Sequence, residues 1–486
     1  MCRPDFPALR RPSYVHRGGL HEHRKGGGRR VRHQHASAWD DWVEGPACSG
    51  PAPVATPGRH GKPGDRTNPG RRGRRGRRGR RGEEHSMRKH VVVLGANFAG
   101  LTAALSVRHE LHGDVDVTVV SPRANFLFTP SLIWLPFGKR DRGDITFDVE
   151  PTLRHHGVDF VQAAATGLDP TARTVTLQDG STLRYDYLVI ATGYRNDSDV
   201  VPGFAENAVT ITTLEDAERA GHAWELFLRD PRDVVVAATQ GAGCFGAAYE
   251  FLFNLSFQLR RHDLHQRVKL TYVTAEPFLG HFGIGGLPHG EQLLGMFLRK
   301  EGIDSRLNVG IDHVAQDALV LETGEEVPFG YGMVVPPFLG QEWLTAVDGL
   351  TDAKGMVAVR DSYQTLKYDD VYAVGAAAAV EVPWTTPTPV GIPKTGFPTE
   401  VMAHVAARNI AAQIRGEEPT DEKAFGDIKA ICVMDAGNNG VVILADKMLP
   451  PRKHGVLIPG PQAHVMKLGF EKYFLWKMRN GYVQLP

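Results

Sequence analysis

His90-Val-Val-Val-Leu-Gly-Ala-Asn-Phe-Ala-Gly100, continued by Leu101-Thr-Ala-Ala-Leu105, is the stretch from which the fold is read. A short apolar run enters a glycine turn and leaves as an alanine- and leucine-rich segment, which predicts strand, tight turn and helix. Such a turn offers backbone N–H groups and a helix N-terminus to a pyrophosphate, provided no side chain blocks the approach. Gly95 makes the turn, Gly100 lets the helix pack closely, and Phe98 and Ala99 lie between them. Asn97 stands where the usual pattern has its second glycine. The next predicted strand, 115–120, runs into Ser121 and lacks the acidic residue that would hold an adenosine ribose.

Moving outward, Asp179-Gly180 inside the polar-apolar stretch 173–183 signals a hairpin, so a small β-meander is expected there. Tyr185-Asp-Tyr-Leu-Val-Ile-Ala191-Thr192-Gly193 is a buried strand closed by a turn of the kind found where a chain leaves an FAD domain. A second strand–glycine–helix unit starts at 233–237, passes through Gly241-Ala-Gly243-Cys244-Phe-Gly246 and continues as a helix to about Arg261. Two such units predict an α/β chain with two Rossmann-like dinucleotide-binding domains. Val371-Tyr-Ala-Val-Gly375 fits a closing strand, with Ala376 where an aspartate would bind a ribityl chain. The expected division is a tail at 1–86 and an FAD-binding domain formed by 87–204 and 336–415. A second Rossmann-like domain is expected at 205–335 and a C-terminal quinone and membrane-association region at 416–486.

Composition narrows the function classes. The 486 residues carry a net charge of +1, so no global field points to nucleic acid. The charge is uneven, because RRGRRGRRGRRG occupies 71–82. Residues 1–86 show no apolar periodicity and are expected to be disordered. They are either a phosphate-gripping arm for RNA or membrane, or an over-extended gene start with Met87 as the first residue. Beyond a weak role of that arm, no nucleic acid partner is expected, and no metal site. Four cysteines, Cys2, Cys48, Cys244 and Cys432, are too few for a disulfide scaffold. No apolar run approaches the roughly 18 residues needed to span a bilayer, so membrane attachment is expected to be peripheral.

The stretch Thr239-Gln-Gly-Ala-Gly-Cys-Phe-Gly-Ala-Ala-Tyr-Glu-Phe251 strongly resembles the cysteine-bearing segment of sulfide:quinone oxidoreductases. So do Val273-Thr-Ala-Glu-Pro-Phe-Leu-Gly-His-Phe-Gly-Ile-Gly-Gly286, Gly391-Ile-Pro-Lys-Thr-Gly-Phe-Pro-Thr-Glu400, Cys432-Val-Met-Asp-Ala-Gly, Leu449-Pro-Pro-Arg and Phe470-Glu-Lys-Tyr-Phe-Leu-Trp476. The resemblance covers essentially all of 87–486, and that family also tends to lack the Gly-Asp aspartate and the acidic residue after the second strand. It implies a peripheral membrane enzyme on the cytoplasmic side, expected to be a homo-oligomer. Such an enzyme oxidises hydrogen sulfide to polysulfide or sulfur and reduces a quinone through FAD. Cys244 and Cys432 then form the relay, with Cys432 the one expected to meet the flavin. Cys244 at a helix N-terminus would have its thiolate stabilised by the helix dipole. Lys394, at the start of a predicted helix and followed by Thr395, resembles the lysine that neutralises the reduced flavin's anionic edge. His281 is a candidate acid/base residue near the sulfide channel; the competing reading is a structural histidine. The third cysteine of many members falls near Thr212, with Asp216 close to where a histidine would follow, so FAD is expected to be held non-covalently.

The segment 463–478 mixes Val465, Leu468, Phe470, Tyr473, Phe474, Trp476 and Met478 with Lys467, Lys472 and Lys477. An aromatic face flanked by lysines fits a helix lying in a membrane interface, with Phe470 and Phe474 placed to pinch a quinone ring. The bland alternative is a helix packed on its own domain or on a partner copy. Two rival functions stay open. A type II NADH dehydrogenase would use Gly241, Gly243, Gly246 and Glu276 for its nucleotide, but leaves both cysteines unexplained. A flavocytochrome-type sulfide dehydrogenase would pass its electrons to a haem subunit.

Overall fold

The computed structural model describes residues 88–394 and 396–485; the 1–86 tail and Thr395 lie outside the described residues. The first strand, β1 (Lys89–Leu94), runs into α1 (Phe98–Leu111) and returns as β2 (Val115–Val120). Val91, Val92 and Val93 are wholly buried, as in a parallel sheet covered on both faces, which leaves no polar side to alternate with. Next come β3 (Asp159–Val161) and β4 (Tyr187–Ile190), then α2 (Leu214–Phe227). The second unit holds β5 (Val234–Ala238), α3 (Phe245–Arg261), β6 (Leu270–Thr274), β7 (Asp304–Leu307) and β8 (Tyr331–Val335). The chain then returns through β9 (Val371–Ala373) and α4 (Gly396–Arg415). It ends in β10 (Ala430–Asp435), β11 (Gly440–Ala445), β12 (Gly455–Pro459) and α5 (Pro461–Arg479).

Two parallel sheets carry the fold. The first has the order β9-β4-β1-β2-β3 and the second β7-β6-β5-β8. Each places a glycine turn at the carboxyl end of a central strand, β1 or β5, which is where such sheets bind ligands. Antiparallel strands at 165–169, 174–177 and 182–184 form the small meander, turned at Gly180. The C-terminal sheet β10-β11-β12 is antiparallel, with Cys432 opposite Ile443 and Ile443 opposite Leu457. Both α3 and α5 pack against β10, so this strand brings together residues of the second unit and of the C-terminal helix.

Candidate functional site

At the first glycine turn the geometry leaves little choice of residue. A Cβ on Gly95, whose φ is +114°, would lie 2.2 Å from the Ala191 carbonyl oxygen, and one on Gly100 would lie 1.9 Å from the Gly95 oxygen. The first turn of α1 has no side-chain cap and no acidic residue, so its backbone donors are available to a phosphate. Asn97 does not obstruct them: its Oδ1 accepts from the Leu127 N–H at 3.2 Å, which turns the side chain aside. Ser121 donates to the Arg123 carbonyl within its own loop. Thr192 Oγ1 is buried without a partner, and Gly193 adopts a left-handed conformation, φ +69°. Gly375 sits where a Cβ would meet Ala99 at 2.8 Å, which brings the closing strand onto the start of α1. Lys394 lies in the loop before α4, two residues short of the helix, and donates to the Ala376 and Ala378 carbonyls. Burial pushes its ammonium down to about 8, so it gains from an anionic partner. Backbone donors, close-approach glycines, an orphaned hydroxyl and a buried lysine fit the expected flavin dinucleotide.

Cys244 is the N-cap of α3, and Cys432 is the third residue of β10; both are free thiols. They lie close enough for Cys244 to raise the pKa of Cys432, and both feel the same pair, Glu250 and Lys467. The expected dipole stabilisation of the Cys244 thiolate does not prevail. The Gly246 and Ala247 N–H groups pull its pKa down, but burial outweighs them and raises it. Burial pushes Cys432 up to about 12.

Glu250 and Lys467 were not singled out by sequence reasoning. Lys467 Nζ donates to Glu250 Oε1 at 2.5 Å, and that oxygen also accepts from the Asp435 N–H at 2.8 Å. Burial raises the Glu250 carboxyl, partly countered by Lys467. The Asp435 carboxylate accepts from Trp134 Nε1 at 2.8 Å and from the Gly437 N–H, and it also bonds His464 Nδ1. The available signals were the position of Glu250 inside the cysteine-bearing segment and an aspartate three residues after Cys432.

Two of the three lysines of the last helix correct the expectation of a basic flank, while Lys472 is exposed as expected. Lys467 and Lys477 are 3% and 1% exposed, because buried carboxylates receive them: Glu250 takes the first, and Glu400 accepts from the second at 2.9 and 3.1 Å. The exposed side of α5 shows Val465, Met466, Phe470 and Trp476 beside Lys472. Phe474 is buried against Phe98, Phe126 and Phe128, and its ring lies 5.4 Å from that of Phe470. Two rings already in contact leave no gap for a third between them. His281 is nearly sealed, T-shaped against Trp384 at 4.9 Å, with Nδ1 unpartnered. Burial and the nearby Arg452 push its pKa down to about 4, so the ring is neutral at pH 7. Where a third cysteine would fall, Thr212 donates to Asn196 Oδ1 at 2.8 Å and to Asp216, while Arg219 pairs with Asp216.

The second glycine turn is closed to a nucleotide. The Gly241, Ala242 and Gly243 N–H groups donate to Pro389, Thr239 and Pro336 carbonyls, and Gly391 lies directly over the turn. Glu276 is wholly buried and accepts from Tyr272, Thr274 and the Phe282 N–H.

Comparison with known proteins agrees with this geometry. Residues 89–407 match the family described as pyridine nucleotide-disulphide oxidoreductase. The chain is 36% identical over 401 residues to a sulfide-quinone reductase of Aquifex aeolicus, covering 81% of this chain and 92% of that protein. The X-ray structure of the sulfide:quinone oxidoreductase from Aquifex aeolicus superposes with a TM-score of 0.78, over 81% of this chain and 92% of that one. An external NADH-ubiquinone oxidoreductase 2 of Saccharomyces cerevisiae is 26% identical over 358 residues, covering 67% of this chain and 62% of that protein.

Proposed function

The chain belongs to the pyridine nucleotide-disulphide oxidoreductase family, and from that premise we propose that it is an FAD-dependent enzyme oxidising hydrogen sulfide to polysulfide or sulfur and reducing a quinone. The observation that carries this reading is the convergence of Cys244 and Cys432, from distant parts of the chain, on one buried Glu250–Lys467 pair.

Hydrosulfide attacks Cys244 in the oxidised Cys244–Cys432 pair, forming a Cys244 persulfide and releasing the Cys432 thiolate. A second hydrosulfide takes the outer sulfur away and, with one solvent proton taken up, leaves a hydrodisulfide ion and the Cys244 and Cys432 thiols. Re-forming the Cys244–Cys432 bond releases two electrons and two protons. Bound FAD supplies the carrier that takes those electrons and hands them to the quinone. Glu250, raised by burial, is the group placed to receive a proton released at the thiols. The balance is two hydrosulfide ions, one quinone and one solvent proton giving one hydrodisulfide ion and one quinol.

Ile431, Leu444 and Val456 are exposed cross-strand neighbours, and with Ile458, Val465, Met466, Phe470 and Trp476 they give the C-terminal region an apolar surface. Among the described residues no helix is long and apolar enough to cross a membrane. Peripheral docking through this surface, on the cytoplasmic side, would let a quinone approach the exposed ring of Phe470; a homo-oligomer would share part of the same surface. The dehydrogenase reading is disfavoured by the closed second turn and the buried Glu276.

The test is to mix the full-length flavoprotein anaerobically with sulfide, and separately with NADH, and follow flavin bleaching. Bleaching by sulfide that is lost in Cys432→Ser, with reoxidation by a quinone, is the expected result. Bleaching by NADH alone would overturn the reading.

A further inference from the structure

Glu276 is wholly buried and has no part in the chemistry above, yet donors from three residues converge on its carboxylate. A buried carboxylate carries a desolvation cost that only its hydrogen bonds offset, so the groups it holds show what it does. Resting on the sulfide reading, we propose that Glu276 is a positioning residue for the relay. It holds the 280–286 loop where that loop, acting through Gly391, keeps the turn into Cys244 closed.

The hold on the loop is direct. The Phe282 N–H donates to Glu276 Oε1 at 2.6 Å, while the Tyr272 and Thr274 hydroxyls fix Oε2 at 3.2 and 3.1 Å. Phe282 has a left-handed backbone, φ +55°, which a bulky side chain adopts only where its surroundings impose it. A second pin comes from α3. The Gly280 N–H donates to the Tyr249 hydroxyl at 3.0 Å, and the Tyr249 ring lies edge-on to that of Phe282 at 5.1 Å. Tyr249 belongs to the helix that Cys244 caps.

From the loop to the thiol there are two backbone contacts. A Cβ on Gly283 would lie 2.3 Å from the Gly391 carbonyl oxygen. One on Gly391 would lie 2.5 Å from the Ala242 oxygen and 2.9 Å from that of Gly241. Loop, middle segment and cysteine turn are thus stacked with no side chain between them at these glycines, and Gly241 N–H fastens the turn to the Pro389 carbonyl. The far end of the loop is held separately. Arg452 donates to the Ile284 and Gly286 carbonyls at 2.5 and 2.7 Å, and to those of Lys447 and Met448 just past β11, the strand paired with that of Cys432. Removing the Glu276 carboxylate therefore frees the Cys244 side of the loop and leaves the Cys432 side tied. The carboxylate that a nucleotide-binding turn would offer to a ribose is used here to close that turn.

Two substitutions separate the hold from the charge. Glutamine keeps an acceptor for the Phe282 N–H and can still bond the two hydroxyls; alanine does neither. The experiment labels the reduced full-length holoenzyme with iodoacetamide in alkaline buffer and reads Cys244 and Cys432 separately by peptide mass. Glu276→Ala should label Cys244 about tenfold faster or more, leave the Cys432 rate unchanged, and be matched by no acceleration in Glu276→Gln. Tyr249→Phe removes a single hydroxyl and should raise the Cys244 rate about threefold, which decides the matter if Glu276→Ala does not fold. An unchanged Cys244 rate in Glu276→Ala, or in Tyr249→Phe where the first variant does not fold, overturns the proposal. So does equal acceleration at both thiols, which marks general loosening, or a Glu276→Gln rate equal to that of Glu276→Ala, which marks a lost charge. Failure of sulfide to bleach the unaltered flavin would instead remove the relay reading, and it is observed independently of the labelling.

Discussion

Lys467 Nζ lies 2.5 Å from Glu250 Oε1, in a pocket that admits almost no water, with Cys244 and Cys432 both within its electrostatic reach. A buried pair of this kind adds little net stability, because desolvation offsets most of the attraction. Removing one partner is different. Lys467→Met should destabilise the protein by about 3–5 kcal/mol, since it strands a buried carboxylate. The Lys467→Met, Glu250→Gln double variant should recover much of that loss in denaturant titrations. A double variant as unstable as the sum of the singles would show that the two charges do not act as a pair.

The thiols carry a pH signature. Burial holds Cys244 above its ordinary range and Cys432 at about 12, so neither is a thiolate at neutral pH in the reduced protein. Alkylation of the reduced enzyme by iodoacetamide should stay slow through pH 8.5, the ordinary thiol value, and rise only in more alkaline solution. A rate that plateaus below pH 8 would mean that the α3 N-terminus prevails over burial after all.

Glu276 gives a stability prediction with a definite sign. Its carboxyl is raised to about 7, chiefly by burial, while the unfolded chain ionises near the ordinary glutamate value. A raised folded pKa means stability is full below the unfolded value and is lost as pH rises through the folded one. From pH 4.5 to 8 the unaltered protein should therefore lose roughly 3 kcal/mol relative to Glu276→Gln. Parallel stability curves for the two proteins would contradict this.

These residues mark where sequence reading works and where it stops. The turns at Gly95 and Gly241 and the strands leading into them are legible because the signal is local: apolar runs, glycines, then helix formers. Both cysteines are legible because they stand inside motifs. Lys467 and Lys477 mislead, since a polar residue on an aromatic helix reads as solvent-facing until the partner carboxylates, Glu250 and Glu400, are known to be buried opposite. Phe474 misleads in the same way, its site being set by Phe98 and Phe128 from the other end of the chain. Glu276 sits where a ribose-binding carboxylate is expected, and only the Phe282 N–H and two neighbouring hydroxyls reveal that it faces inward.

The closed second turn predicts indifference to NADH. With the Gly241, Ala242 and Gly243 donors already used, a pyrophosphate loses those three amides and meets the backbone of Gly391. Calorimetric titration of the holoenzyme with NADH should show no binding in the micromolar range. Saturable heat in that range would require the 389–391 loop to move aside.

The apolar surface of α5 and its sheet makes the last prediction. Val465 is 66% exposed and Trp476 49%, on a helix whose lysines are partly turned inward, so attachment there depends on apolar contact more than on charge. Burying such side chains in an interface contributes about 1–3 kcal/mol each. The Val465→Ser, Trp476→Ser double variant should therefore lose tenfold or more in partitioning to liposomes, a loss of about 1.4 kcal/mol or greater. Its sulfide-driven reduction of a water-soluble quinone analogue should be unchanged, because both side chains are exposed on the surface of α5 and neither is part of the thiol relay. High salt should leave the unaltered protein bound if the attachment is apolar; binding confined to anionic vesicles and released by salt would move it to exposed charges such as Lys472.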